Sequence, residues 1–226
     1  MRKTKKLVCI CGLLYTFVLF QVLGINSLHR QKAVETGKIP EEKPKIAITF
    51  DDGPSEKYTP QLLDGLKARN VKASFFVIGK MAEANPKLIK REKEEGHLIG
   101  NHTYNHVDIS KISDWEAVTE IEKTNQVIEK VTKEDVEYLR APFGSWKKNL
   151  VGRMNVFPVT WSVDPLDWTT ENSDEIVDKV VTEVKENDII LLHDCYQSSV
   201  DAALRIIDIL QKEGYEFVTV DKLILE

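Results

Sequence analysis

The sequence predicts an α/β fold built on a parallel sheet. Seven short runs rich in apolar and β-branched residues alternate along the chain with segments of helical periodicity. Such alternation is typical of parallel strands whose connecting helices pack outside the sheet. The periodicity fits a closed barrel and an open sheet equally well, so it leaves the closure of the sheet open.

The individual elements follow from these local patterns. Strands are predicted at Ile46–Phe50, Ala73–Ile78, His97–Gly100, Val136–Leu139, Phe157–Ser162, Asp188–Leu192 and Glu216–Val220. Helices are predicted at Tyr58–Arg69, Met81–Glu95, Asp114–Val131, Ser173–Glu186 and Val200–Glu213. Pro86 marks a start or a kink within the second of them. Ser113 precedes the third helix as an N-cap, and Gly214 follows the last helix as a C-cap.

Composition places the chain among globular proteins and excludes several functions. Its 226 residues fit one domain with a single core, and 42% hydrophobic with 30% charged residues argues against disorder. A formal net charge of -5 offers no basic surface for nucleic acid. Cys9 and Cys11 lie in an apolar N-terminal run, which leaves Cys195 alone and excludes a disulfide framework. We expect a monomer without a nucleic-acid partner.

The first 25 residues have the pattern of an export segment. An uncharged run over residues 7–25 follows four basic residues, Arg2, Lys3, Lys5 and Lys6. The run is close to the length that spans a bilayer, and no small-x-small cleavage site follows it. We therefore predict an uncleaved transmembrane anchor over residues 1–25, with the rest of the chain outside the cell. A cleaved signal peptide and a secreted protein are the alternative. Residues 26–44 are polar and contain glycine and prolines, which predicts a linker to a domain over residues 45–226.

The first predicted strand ends on two adjacent carboxylates, Asp51 and Asp52, which a Gly-Pro turn follows. A solvated turn is the ordinary interpretation of such a run. In α/β folds, however, catalytic side chains collect at the carboxyl ends of the strands. The polar residues at the other predicted strand ends therefore decide between these interpretations.

Two histidines, His102 and His106, follow the third predicted strand. One turn of helix would place both imidazoles on the same side, although two surface histidines would give the same spacing. Neutral imidazoles suit zinc and other divalent transition metals. One carboxylate from the first strand would complete a site with positions open for water and substrate. We expect His97, at the start of its strand, to be structural.

Three further strand ends carry polar residues. Arg140 leaves the fourth strand before a Pro-Phe-Gly turn, and beside a carboxylate cluster its guanidinium would orient one acid. That turn is rigid and able to point a backbone N–H inward. Residues 161–168 hold two carboxylates and two tryptophans. Trp168 could be a core aromatic, but indoles beside acids also form walls that bind sugars. His193 ends an apolar strand, where an imidazole suits acid–base work.

These five stretches, in this order, resemble the motifs of the polysaccharide deacetylases, the NodB-homology domain of carbohydrate esterase family 4. The resemblance covers about residues 45–223, and five motifs in sequence are far more specific than any one of them. The motifs are T-F-D-D-G at 49–53, H-T-Y-N-H at 102–106, R-A-P-F-G at 140–144, D-P-L-D-W at 164–168 and L-L-H-D at 191–194. The resemblance implies a deformed (β/α)7 barrel. It also implies that Asp52, His102 and His106 bind a divalent metal, usually zinc, with cobalt or manganese able to replace it.

The resemblance also implies roles in proton transfer. Asp51 would be the general base and Arg140 would orient it. His193 would be the general acid that protonates the leaving amine, and Asp164 would orient it. The backbone N–H of Phe143 would help to stabilise the oxyanion.

The implied reaction is the metal-dependent removal of N-acetyl groups from amino sugars. A membrane-tethered enzyme acting on cell-wall glycan is the leading expectation, with N-acetylglucosamine or N-acetylmuramic acid of peptidoglycan as the sugar. A chitin-oligosaccharide deacetylase and an acetyl-xylan esterase are the enzymatic alternatives. A catalytically silent glycan-binding domain is the non-enzymatic alternative, and the complete set of site residues favours an enzyme.

Overall fold

A curled parallel sheet forms the framework of the fold. The computed structural model describes residues 42–147, 150 and 154–224. Within them the strands run in the order β5-β4-β3-β2-β1-β6, with β7 also paired to β1, and every pair is parallel. The strands are β1 (Lys45–Asp51), β2 (Ser74–Val77), β3 (Leu98–Asn101), β4 (Tyr138–Leu139), β5 (Phe157–Pro158), β6 (Ile189–His193) and β7 (Glu216–Phe217).

Helices connect most successive strands, as the alternation in the sequence predicts; between β4 and β5 the described residues form a short 3₁₀ turn, Pro142–Gly144, and no α-helix. The helices are α1 (Thr59–Ala68), α2 (Gly79–Ala84), α3 (Pro86–Glu94), α4 (Asp114–Thr132), α5 (Ser173–Glu183), α6 (Gln197–Lys212) and α7 (Val220–Ile224). Ser113 caps α4 through a reciprocal capping box with Glu116, which confirms the predicted helix start. The helical segment predicted over 81–95 is divided in two, and the second helix starts at Pro86, the position that the sequence marks as a start or kink. Asn85 separates α2 from α3, because a proline at the next position favours a helix start and disfavours helical backbone before it.

The segment after β5 links the two ends of the sheet. Its first residues pair with β4, and Val159 donates its N–H to Leu139 at 2.8 Å. A few residues later, Val163 forms a parallel bridge with Ile190 of β6. The strand predicted over 157–162 is therefore short, because the chain crosses from one edge of the curled sheet to the other.

The two faces of β1 have different neighbours. Ile46, Ile48 and Phe50 belong to the main apolar core, together with residues of α1, α5 and α6. Ala47 packs on the other face in a small cluster with Phe76. Alternate residues of a strand share a face. Burial on both faces explains why β1 is an almost continuous apolar run.

The parallel strands bring their carboxyl ends to one side of the molecule. Asp51, Asn101, Leu139 and His193 end β1, β3, β4 and β6. Lys43–Glu226 forms one compact unit. The predicted anchor over 1–25 and nearly all of the predicted linker lie outside the described residues, so both stay predictions. In the described part of the chain no helix is both long and apolar enough to cross a bilayer.

Candidate active site

The strand ends surround a cavity of about 390 Å³. Seven of the eight site residues that the sequence predicts line it, namely Asp51, Asp52, His102, His106, Phe143, Asp164 and His193. The eighth, Arg140, lies fully buried behind Asp51. A larger cavity of about 670 Å³ is lined by residues around the starts of β3 and β4 and includes none of the eight. The smaller cavity is the candidate active site because the reactive groups converge there.

The two adjacent carboxylates both face this cavity because the backbone turns between them. Asp51 ends β1 and is 3% exposed. Asp52 has a φ of 73° in the left-handed region, which aspartate tolerates better than most residues. In a regular strand neighbouring side chains point to opposite faces. The turn at Asp52 instead brings both carboxylates to one site.

Asp52, His102 and His106 form a cluster suited to a metal ion. The Nε2 atoms of His102 and His106 lie 3.4 and 3.3 Å from Oδ1 of Asp52, and one ligand atom from each residue lies within 4.8 Å of the others. Oδ1 of Asp52 is buried without a hydrogen-bond partner, as expected of an atom reserved for a cation. These residues fit the divalent metal that the sequence implies.

The tautomer of His102 supports this assignment. Its Nδ1 lies 2.7 Å from the carbonyl oxygen of Arg140. Because a carbonyl only accepts hydrogen bonds, Nδ1 carries the proton, and Nε2 of the neutral ring presents its lone pair towards Asp52.

The two imidazoles meet in a loop, and the turn of helix predicted for them was wrong. Their ring centroids are 5.0 Å apart. Thr103 and His106 have φ values of 62° and 56°, which bends the chain back on itself after β3. Asn101 stabilises this bend, because its Oδ1 accepts the N–H of Thr103 at 2.7 Å.

Burial and charge set the protonation of this cluster. Burial by itself raises the pKa of Asp52, but the imidazoles of His102, His106 and His193 outweigh that effect and leave its pKa below the ordinary value. Burial lowers the pKa of His106, and the Asp52 carboxylate offsets only part of the decrease. A carboxylate and a neutral imidazole are the forms that bind a metal.

Arg140 holds Asp51, as predicted. Its Nη1 donates to Oδ1 of Asp51 at 2.8 Å and to the hydroxyl of Thr49 at 2.7 Å. Its Nη2 donates to the carbonyl of Thr160, and its guanidinium lies over the ring of Phe76 at 4.2 Å. The other oxygen of Asp51 remains 3.7 Å from Nε2 of His102, so it faces the metal cluster.

His193 meets Asp167, and the predicted partner Asp164 was wrong. Nδ1 of His193 lies 2.8 Å from Oδ1 of Asp167, and the backbone N–H of His193 donates to Oδ2 of the same carboxylate at 2.8 Å. Asp164 instead accepts the N–H of Leu166 at 2.9 Å and stabilises a turn in which Leu166 has a φ of 58°. The sequence carries a signal for this, because an aspartate before Pro165 is typical of the start of a turn.

The surroundings of His193 favour its protonated form. Burial alone would lower its pKa, but the Asp167 carboxylate, with help from Asp51 and Asp52, raises the pKa to about 9. Asp167 is itself held by Ser199, whose hydroxyl donates to Oδ2 at 2.5 Å. Nε2 of His193 lies 4.0 Å from Oδ2 of Asp52, on the cavity side. The ring is therefore placed to give a proton to a group bound beside the metal cluster.

Apolar side chains form the rim of the cavity. The exposed fractions of Phe143 and Trp168 are 68% and 57%, and Leu166 and Tyr196 are also exposed. Phe143 has a φ of 61°, and its ring lies 4.8 Å from that of His106. The oxyanion role of its backbone N–H stays a prediction. Tyr196 was not predicted as a site residue, because it follows the L-L-H-D motif without any periodic or polar signal.

The fold and these residues define an α/β protein with a candidate metal site at the carboxyl ends of its parallel strands. Residues 38–161 match the family described as polysaccharide deacetylase, and the chain belongs to this family. It is 36% identical over 202 residues to the peptidoglycan-N-acetylglucosamine deacetylase PgdA of Listeria monocytogenes, covering 88% of this chain and 43% of that protein. It is 37% identical over 210 residues to the peptidoglycan-N-acetylmuramic acid deacetylase PdaC of Bacillus subtilis, covering 85% of this chain and 45% of that protein. The chain thus spans less than half the length of these two relatives.

Solved structures confirm the deformed (β/α)7 barrel. The structure of PdaC from Bacillus subtilis has a TM-score of 0.79 at 38% identity and covers 80% of this chain and 90% of that one. A mutant of a CE4 family pseudoenzyme with restored enzymatic activity has a TM-score of 0.75 at 28% identity, covering 80% of this chain and 68% of that one. Because the fold also occurs in a pseudoenzyme, activity has to be argued from the site residues.

Proposed function

We propose that this protein is a metal-dependent deacetylase that removes N-acetyl groups from the amino sugars of peptidoglycan. The observation that carries the proposal is the complete reactive set in one cavity. Its centre is the cluster of Asp52, His102 and His106. On either side lie Asp51, which Arg140 holds, and His193, which Asp167 holds. A silent glycan-binding domain has no need of these three units together. The names of the two bacterial relatives support peptidoglycan as the substrate.

We propose zinc as the metal, with Asp52, His102 and His106 as its protein ligands. Nitrogen and carboxylate ligands that leave positions open are typical of catalytic zinc sites, and cobalt or manganese would fit the same ligands. When bound, such an ion polarises a carbonyl group and lowers the pKa of water.

The residues of the chain supply the proton transfers. Asp51 would take a proton from the attacking water, because the Arg140 contact fixes one of its oxygens and leaves the other facing the cluster. His193 would donate a proton to the nitrogen of the departing amine, and Asp167 would hold its ring in place. The backbone N–H of Phe143 would donate to the oxyanion. The exposed apolar rim would pack against the sugar ring.

Variants of the adjacent carboxylates Asp51 and Asp52 test which of the two is the base and which is the metal ligand. Asp51→Asn should lower kcat by a factor on the order of 10²–10⁴, the usual range for lost acid–base catalysis, while keeping a stoichiometric metal. Asp52→Asn should lose the metal as well as the activity. The measurement is acetate release from peptidoglycan fragments together with metal content by mass spectrometry. Loss of metal in Asp51→Asn but not in Asp52→Asn would reverse the two assignments.

The identity of the sugar is tested on defined fragments. Mass spectrometry before and after incubation with the purified protein locates the lost acetyl group on N-acetylglucosamine or on N-acetylmuramic acid. The same assay on chitin oligosaccharides and acetylated xylan tests the alternative substrates. A protein that binds zinc and glycan but releases no acetate from any of them would be the silent binding domain instead.

We further propose that residues 7–25 anchor the protein in the cell membrane with the domain outside. Four basic residues before this apolar run support that orientation, because positive charge is retained on the cytoplasmic side. Protease added to intact cells should remove the domain. Recovery of a soluble protein in the medium, beginning near residue 26, would favour a cleaved signal peptide.

A further inference from the structure

A buried carboxylate, Asp194, directly follows the proposed acid His193, and the proposed mechanism gives it no role. Its side chain is completely buried and does not line the cavity. One of its oxygens, Oδ2, pairs with the hydroxyl of Thr59, the first residue of α1. The oxygen of that hydroxyl accepts the N–H of Ser55 at 2.7 Å, so the hydroxyl proton is directed to Asp194.

The other oxygen of Asp194 lies against Gly53, the residue after Asp52. A Cβ atom at Gly53 would lie 2.2 Å from Oδ1 of Asp194, so no larger residue fits there. The φ of Gly53 is not in the left-handed region, which means that glycine is needed for close approach and not for its backbone conformation. The carbonyl of Gly53 also accepts the N–H of Ile78 at 3.0 Å, which ties the same turn to the end of β2.

Asp194 therefore connects two parts of the site that come from opposite ends of the sequence. Through Thr59 and Gly53 it contacts the turn that carries Asp52, and through the backbone it continues the strand that carries His193. A carboxylate costs stability when it is buried, and burial raises the pKa of Asp194 to about 7, although hydrogen bonds from Thr59 and from its own backbone N–H act in the opposite direction. Glu92, which is also buried, and Asp52 and His193 are the other titratable groups that act on it.

We propose that Asp194 is a positioning residue that fixes the separation between the proton donor and the metal cluster. This inference rests on the proposed function. The separation it controls is the 4.0 Å between Nε2 of His193 and Oδ2 of Asp52. If the contact with Thr59 and Gly53 is lost, the turn that carries Asp52 can shift relative to His193, although β1 and β6 stay paired. Catalysis then suffers although every catalytic residue is present.

Two matched pairs of variants test the proposal in the full-length protein. Asp194→Ala removes the carboxylate, whereas Asp194→Asn keeps an oxygen that can accept the hydrogen bond from Thr59. Thr59→Val removes the hydroxyl at nearly constant shape, whereas Thr59→Ser keeps it. Asp194→Ala and Thr59→Val should lower kcat about 10- to 100-fold, the range seen when support behind a metal site is removed. KM should change little, and Asp194→Asn and Thr59→Ser should keep most of the wild-type kcat.

The visible absorption spectrum of the cobalt-substituted protein gives a second measurement. Because Asp52 belongs to the turn that Asp194 supports, the cobalt bands should change in Asp194→Ala and Thr59→Val but not in their partners. A wild-type kcat and spectrum in folded Asp194→Ala would overturn the proposal. Equal losses of kcat in Thr59→Val and Thr59→Ser would also overturn it. If Asp194→Ala does not fold, the comparison of Thr59→Val with Thr59→Ser tests the proposal by itself.

The spectrum also separates this inference from the proposed function. If the wild-type protein releases no acetate from any glycan, the proposed function fails, but the cobalt spectra still report whether Asp194 supports the cluster. If the wild-type protein is active and all four variants match it, the positioning role alone is refuted.

Discussion

At the residue scale, Asp51 and His193 face the same cavity, and each contacts a buried side chain that carries the charge opposite to its own ionised form. A fully buried arginine contacts Asp51, and a buried carboxylate contacts His193. Each pair is then held by a third group, the hydroxyl of Thr49 for Arg140 and that of Ser199 for Asp167. The base and the acid are thus distinguished by their partners as well as by their own chemistry.

Removal of the negative charge behind His193 should move the alkaline limit of activity. With its pKa at about 9, His193 keeps its proton throughout the neutral range, and activity should fall only as the pH rises through that value. Asp167→Asn removes the main cause of the raised pKa, so the fall should begin at lower pH and kcat at pH 9 should suffer most. The pH profile of kcat measures this effect.

Asp164→Asn is the matched control, because Asp164 stabilises a turn and does not contact the ring. The kcat of Asp164→Asn should fall at the same alkaline pH as the kcat of the wild type. A shift in Asp164→Asn with none in Asp167→Asn would contradict the assigned partner.

At the element scale, the start of β3 depends on a neutral histidine. Nδ1 of His97 accepts the backbone N–H of Ala73 at 3.0 Å, and its ring meets the ring of Phe75 edge-on at 5.3 Å. Burial, with the nearby Lys72, lowers its pKa from 6.5 to about 4. The predicted structural role of His97 is confirmed by these contacts. A charged imidazole could not accept this hydrogen bond.

His97 should make the protein less stable in mild acid. Its pKa is lower in the folded than in the unfolded chain, so its contribution is complete above pH 6.5 and is lost as the pH falls towards 4. Between pH 7 and pH 5 the loss is about 2 kcal/mol. His97→Gln should remove this part of the dependence in urea unfolding of the metal-free protein.

Other groups change stability over the same pH range, so the test is the difference between the two proteins. The raised pKa of Asp194 acts in the opposite direction, because protonation of that carboxyl favours the folded state as the pH falls below about 7. This contribution is common to wild type and variant. Parallel curves for the two proteins would mean that His97 does not cause the acid sensitivity.

At the scale of the whole molecule, metal binding should stabilise the entire unit Lys43–Glu226. The three ligands lie in the loops after β1 and β3, and both strands belong to the same sheet. A ligand that binds only the folded state at 100 times its Kd adds about 2.7 kcal/mol to the free energy of unfolding. Loss of the metal therefore affects more than the loops that hold it.

Treatment with EDTA should lower Tm by about 5–10 °C, the shift expected for a domain of this size. Added zinc should restore the original value. Differential scanning calorimetry provides the measurement. In His106→Ala the thermal transition should respond little to either reagent, and an unchanged response would mean that the metal binds elsewhere.

The sequence was sufficient to predict the alternation of elements and most of the site, because both depend on local patterns. Polar residues directly after apolar strands predicted the positions of Asp51, His102 and His193. The choice between Asp164 and Asp167 does not follow from this pattern. Pro165 indicates a turn at Asp164, but the contact of Asp167 with His193 depends on the left-handed backbone at Leu166. The close approach of Asp194 to Gly53 was equally inaccessible, since it joins residues 141 positions apart in the chain, the difference between 194 and 53.

The central position of β1 has a consequence for how the protein is made. This strand pairs with β6, which is complete only after the ribosome has added residue 193. All three metal ligands are synthesised by residue 106, but β1, which precedes Asp52, lacks its neighbour β6 until residue 193 has been made. Contacts so distant in sequence form slowly. We expect a nascent or truncated chain to contain every metal ligand and still bind zinc poorly, so metal uptake should report completed folding.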